Sequence, residues 1–266
     1  MAPAMWTQAF CPKALALTAV WAVAGLCQAQ TPPLHFPHPV GMPPGVVGAQ
    51  RLGRGGPVVG VFQPVEIMAP EGVLIALAEA GTWAQPQKAP VHVGLLVGQV
   101  YRICVWNIPG QIGQEVFPTI EVIDRLYAPA GQETRFPIQI ELTAEDLRLA
   151  LEGKYVTRVI YLENPERALP ALGNLAGQPW FEVPPGRDPL VVADALGRPV
   201  AIVRLGGRVP EQAERLDPQF LFGCPPVWRY DPPPSPAAQA QSRVSVLPRP
   251  PRPGRAQPVA MEVSPR

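Results

Sequence analysis

The sequence predicts a mainly β protein, an antiparallel β-sandwich with one short crossover helix between disordered, proline-rich termini. Three observations carry that expectation. Short runs rich in Val, Ile, Leu and aromatic residues recur at 58–68, 73–77, 91–107, 117–127, 136–142 and 154–163, each bounded by Pro, Gly or Asn, which is the spacing of sandwich strands. Ile138, Gln139, Ile140, Glu141 and Leu142 alternate strictly, giving one buried and one wet face, as an antiparallel sheet with a solvent side requires. The 38 prolines crowd toward the ends, where they leave little that can pack. With 266 residues, 47% apolar and 16% charged, the chain can still bury at least one full core.

Lys13 precedes an apolar run over residues 14–26, and Cys27 and Ala29 put small residues at the two positions a signal peptidase reads. Residues 1–29 therefore read as a cleavable signal peptide. The run is about 13 residues, short of the roughly 20 that a membrane-crossing helix needs, so any membrane attachment would come through an uncleaved signal. A lipoprotein signal at Cys27 ranks lower, because Leu26 stands where Gly or Ala is wanted. Residues 30–57 hold Pro, Gly and isolated apolar side chains without a period and read as an extended linker. The sandwich body is expected over 58–228.

Within the body, Thr143 can cap a short helix, Glu145 and Asp146 load its first turn, and Gly153 can end it in the left-handed conformation. The chain then re-enters a strand through Gly153, Lys154 and Tyr155. That re-entry resembles the tyrosine corner of immunoglobulin-like sandwiches, with Leu151 where the motif has Asp. The chain is thus similar to exported bacterial proteins with immunoglobulin-like domains. The resemblance implies loops and strand edges that face partners: the 107–116 loop, the segment around Trp180, or an exposed edge. A proline-broken stretch after Glu163 contains Trp180 and Phe181. A last hairpin is expected over 191–205, turning near Leu196 and Gly197, with Ala201, Val203 and Leu205 alternating against Val200 and Ile202. Residues 229–266 read as a disordered tail, in which Arg249 and Arg252 each stand between prolines and suit polyproline II.

Removing the signal leaves Cys104 and Cys224 as an even pair where disulfides persist. Parity puts Tyr101, Ile103 and Val105 on one strand face and Arg102, Cys104 and Trp106 on the other. A segment ending in Phe222, Gly223, Cys224, Pro225 and Pro226 can fold back over the second face, so the pair forms either one bridge or two separate buried thiols.

The chemistry is limited. A net charge of +1 argues against a nucleic-acid partner. Ser235, Ser242, Ser245 and Ser264 are the serines of the chain and all lie in the tail, so the body has none for a catalytic triad. His92 is the body's single histidine, which leaves little for general-base catalysis or zinc. Apolar residues between it and Cys104 argue against a dyad. His35 and His38 lack a frame for a metal, and Gly53, Gly55 and Gly56 miss dinucleotide spacing. No cofactor, metal or catalytic residue is expected. The expectation is an exported, non-catalytic structural or binding protein, periplasmic or extracellular, with an envelope protein or glycan as partner. Its candidate surface is Trp180, Phe181, Trp106 and Asn107. The alternatives are a carbohydrate-binding module, or a carbohydrate-active enzyme with a carboxylate pair drawn from Glu115, Glu121, Asp124, Glu141 and Glu163. Parity puts Glu121 and Asp124 on opposite faces, so these carboxylates read as solvated. Trp83, Trp106, Trp180 and Trp228 read as core or rim packing.

Overall fold

The computed structural model describes residues 41–57, 59–166, 168, 178–206, 209–212 and 214–232. The signal peptide, His35 and His38, and the tail beyond residue 232 lie outside the described residues.

The protein is a mainly β sandwich of two sheets. Strands β1 (Phe62–Met68), β5 (Val91–Leu96), β8 (Ile138–Glu141) and β11 (Val227–Arg229) form a four-stranded sheet in the order β11-β5-β1-β8. The larger sheet contains β2 (Leu74–Glu79), β3 (Thr82–Trp83), β4 (Gln87–Lys88), β6 (Val100–Trp106), β7 (Thr119–Val122), β9 (Val156–Glu163) and β10 (Gly197–Leu205). Its order is β3-β2-β6-β7-β10-β9, with β4 also on β2. All pairings are antiparallel except β1 with β8, which runs parallel in the register Val65↔Ile138 to Met68↔Glu141.

The run at 91–107 is two strands rather than one. Gly98, at φ +85°, turns the chain between β5 and β6 and carries it from one sheet to the other, a turn that glycine adopts without strain. Alternation then fills the space between the sheets. Val65 and Ile67, Ile75 and Leu77, Val93 and Leu95, Ile103 and Val105, Ile138 and Ile140, and Val203 and Leu205 all point into one core. Helix α2 (Ala144–Leu151) adds Leu147 and Ala150 to that core. It starts in a reciprocal capping box between Thr143 and Asp146, and Gly153 follows it at φ +83°, as its sequence predicts.

Two expectations are corrected. The end of the linker segment is helix α1 (Val46–Gly53), which packs on the body. Val47 is buried against Ile123 and Ile202, and a Cβ on Gly48 would come within 2.9 Å of the Gly98 Cα, so glycine is what lets helix and turn meet. The 191–205 hairpin is helix α3 (Pro189–Leu196) followed by the single strand β10. Asp188 caps α3, its Oδ1 accepting from the N–H groups of Leu190 at 2.7 Å and Val191 at 3.3 Å, and Pro189 sits at the first helical position, where its missing N–H costs nothing. Tyr155 stands 67% exposed before β9; the tethering tyrosine is Tyr101, whose hydroxyl accepts from Leu96 N–H at 2.8 Å and donates to Pro226 O at 2.9 Å.

Candidate functional site

The covering of the sheets decides where a ligand has access. The outer face of the larger sheet is packed twice over: α1 and α3 cover β7 and β10 through Val47, Leu190, Ile123 and Ile202. The segment at 217–224 covers β2 and β6 through Phe220 and Leu221, which cluster with Ala78, Cys104 and Phe117. The outer face of the four-stranded sheet carries instead a row of polar and aromatic side chains.

That row follows from strand parity and register. Glu66 on β1 pairs with His92 on β5 and with Gln139 on β8, and all three alternate with core residues, so they share the outward face. His92 Nε2 lies 3.3 Å from Glu66 Oε1, and Gln139 Nε2 donates to Glu66 Oε2 at 3.3 Å. Tyr230, just past β11, sets its ring edge-on to His92 at 5.8 Å between centroids, and Trp228 lies 5.5 Å from Tyr230. The Trp228 ring rests on bare backbone: a Cβ on Gly94 would come within 2.7 Å of its Cε3. Burial, with a smaller push from the Glu66 carboxylate, raises the Tyr230 hydroxyl to about 12; it donates to Val65 O at 3.4 Å, which leaves its oxygen to accept. The result is a half-exposed indole at one sheet edge followed by a line of hydrogen-bonding groups across three strands.

At the opposite edge, Gln178 N–H donates to Glu141 at 2.6 Å and Gln178 Nε2 to Gln139 O at 3.3 Å. This hangs the segment bearing Trp180 and Phe181, 60% and 50% exposed, on β8. Trp180 lies over the Arg158 guanidinium at 4.5 Å, itself held by two oxygens of Asp146. Trp106 and Asn107 sit elsewhere, at the end of β6, where Asn107 Nδ2 donates to Gly72 O at 2.7 Å. The expected four-residue surface is therefore split, Trp180 and Phe181 beside β8 and β9, Trp106 and Asn107 beside β2.

The carboxylates also resolve. Glu121 and Asp124 are fully buried rather than solvated, a correction with a physical cause: each has arginine partners. Glu121 takes Arg204 Nη1 at 2.7 Å and Gly48 N–H at 2.8 Å, while Asp124 takes Arg51 and Arg198 at 3.2 and 3.3 Å. Glu115 is held by Arg215 at 2.7 Å, and Glu163 is exposed at the end of β9. Cys104 and Cys224 do meet in one cluster under the folded-back segment, as free thiols. Burial, reinforced by Glu115, raises the Cys104 thiol to about 12. His92 and Cys104 lie on outer faces of different sheets. Among the described residues no three His, Cys, Asp or Glu side chains gather for a metal, and no helix is long and apolar enough to cross a membrane.

No family model, no curated protein and no solved structure matches this chain.

Sequence reasoning missed Glu66, His92, Gln139 and Tyr230 as a unit. The signal was parity: Glu66, His92 and Gln139 sit on the wet faces of their strands, and Tyr230 is two residues past Trp228. What the sequence does not display is which strands are neighbours.

Proposed function

We propose that the protein is exported to the cell envelope, periplasmic or extracellular, and acts there without catalysis, binding a glycan on the outer face of the four-stranded sheet. The export part rests on the Lys13, 14–26 and Cys27 to Ala29 pattern. One observation carries the binding part: Trp228, 45% exposed, begins a row that continues through Tyr230, His92, Glu66 and Gln139. A sugar ring has an apolar face that stacks on an indole and rim hydroxyls that need donors and acceptors, and this row supplies both side by side. The fold is likewise compatible with immunoglobulin-like sandwiches, which use faces and edges for recognition.

The test is a glycan array with the chain from Gln30 onward, followed by titration of the best glycan. Trp228→Ala is expected to cost about 2 kcal/mol, roughly thirtyfold in affinity, as an exposed aromatic anchor does, while Trp180→Ala serves as control and binds normally. Full binding by Trp228→Ala refutes the site. Amino-terminal sequencing of protein from the envelope fraction is expected to begin at Gln30, and an intact leader refutes the cleavage.

A further inference from the structure

The loop after β7 brings three arginines to one buried carboxylate and one exposed ring. Asp124 is 1% exposed. Its Oδ2 faces Arg51 from α1 and Arg198 from the start of β10, and its Oδ1 accepts from the Arg125 N–H at 2.7 Å. Arg198 Nη1 also donates to Arg125 O at 2.9 Å, which ties the strand to the loop. The guanidinium carbons of Arg125 and Arg198 then lie 4.8 and 5.2 Å from the centroid of the same ring, that of Tyr127, itself 67% exposed.

Arg125 is the odd member. Among the described residues it has no ion pair, and its Nε is buried with no hydrogen-bond partner. Asp124, its neighbour in the chain, is already shared by two other guanidinium groups. Arg51, Arg125 and Arg198 carry three positive charges beside the single negative charge of Asp124, and that excess is favourable to a ligand that brings negative charge. Guanidinium groups are planar forks that match the oxygens of a phosphoryl group in pairs, and an aromatic ring against each of them restrains it in advance of binding.

We propose that Arg125 and Arg198, braced on Tyr127 and Asp124, form an anion site for a phosphomonoester dianion. The site is built by α1, the loop after β7 and β10, none of which contributes to the Trp228 row, so it stands or falls separately from the glycan reading. The same phosphate chemistry occurs on soluble esters and on lipid headgroups, and the experiment separates them.

The full chain is titrated calorimetrically with inorganic phosphate at low chloride, and in parallel floated with phosphatidylcholine vesicles with and without phosphatidic acid. Binding to either probe is expected; phosphate binding marks a soluble ligand, and capture only by phosphatidic acid marks a headgroup. Arg125→Gln should weaken the binding seen by about tenfold or more, and Arg135→Gln, an exposed arginine in the 3-10 turn Glu133–Arg135 at the far end of the same connection, should leave it unchanged. Tyr127→Ala, which removes an exposed side chain, should weaken it as well and covers the case in which Arg125→Gln misfolds. The proposal is overturned if neither probe binds, if Arg125→Gln or Tyr127→Ala binds like the parent protein, or if Arg135→Gln loses as much.

Discussion

Arg204 and Glu121 are 3% and 0% exposed and bonded at 2.7 Å. Two charges so far from water cost several kcal/mol each to desolvate, which their mutual attraction repays only while both are present. Arg204→Met is therefore expected to destabilise the protein by about 3–5 kcal/mol, because it leaves the Glu121 carboxylate buried without its cation. Urea unfolding at pH 7 measures this, and a loss under 1 kcal/mol contradicts the account. Cys104 makes a second residue-scale case. Its thiol is pushed to about 12 by burial, and the thiolate is the reactive form, so in reduced native protein it should resist maleimide at neutral pH while the partly exposed Cys224 reacts. Mass spectrometry with Cys104→Ala and Cys224→Ala variants identifies the site. The strand parity that put Cys104 opposite the Tyr101, Ile103 and Val105 face was legible in the sequence. The burial of Glu121 and Asp124 was not, since it depends on arginines 73 to 83 positions away, and no local pattern encodes a partner at that distance.

Elements were legible where local chemistry was complete. Thr143, Asp146 and Gly153 hold the whole start and stop code of α2, and the strict alternation of 138–142 holds that of β8. Helix α3 was missed because Val191 and Val192 favour strands and Gly197 suggested a turn, yet Asp188 and Pro189 spelled a helix start. Asp188→Ala is expected to cost about 1 kcal/mol through loss of that cap, readable by the same unfolding titration, and an unchanged midpoint would count against the cap. Helix α1 is short, flanked by Pro43, Pro44 and Gly45, and has little periodicity. It exists because the body offers it Ile123, Ile202, the Gly98 turn and the Glu121 carboxylate. Gly48→Ala drives a Cβ into the Gly98 backbone, and such overpacking costs typically about 1–3 kcal/mol; proteolysis near residues 46–53 should accelerate as the helix lifts.

For the whole molecule, three buried groups share one direction of shift. Tyr101 and Tyr230 are raised from 10.0 to about 12, and Cys104 from 9.0 to about 12, each chiefly by burial. The folded state holds these protons more tightly than the unfolded one, so the stability they confer is complete below pH about 9 and is lost as pH rises through 9 to 12. Unfolding free energy should fall steadily over that window, and Tyr101→Phe should flatten part of the fall while lowering stability at neutral pH, since the Leu96 N–H and Pro226 O lose their shared partner. The sandwich class and its closed core were foreseeable from periodicity alone. The location of the exposed face was not, because it depends on which outer surfaces the helices and the 217–224 segment cover, a property of the assembled chain.

That last segment leaves the larger sheet and immediately supplies β11, which pairs with β5, so Val227 meets Leu95 across more than half of the described chain. Synthesis makes β5 long before it makes β11. A growing polypeptide can pair β5 with β1 early, but the other edge of β5 and the bare flank of Gly94 stay uncovered until nearly all of the body has been made, and a chain stalled before Val227 has an open seam in one wall. Such a fold is sealed late, by its carboxyl-terminal ribbon, and a release assay on chains truncated at Phe222 should find them sensitive to protease along β5.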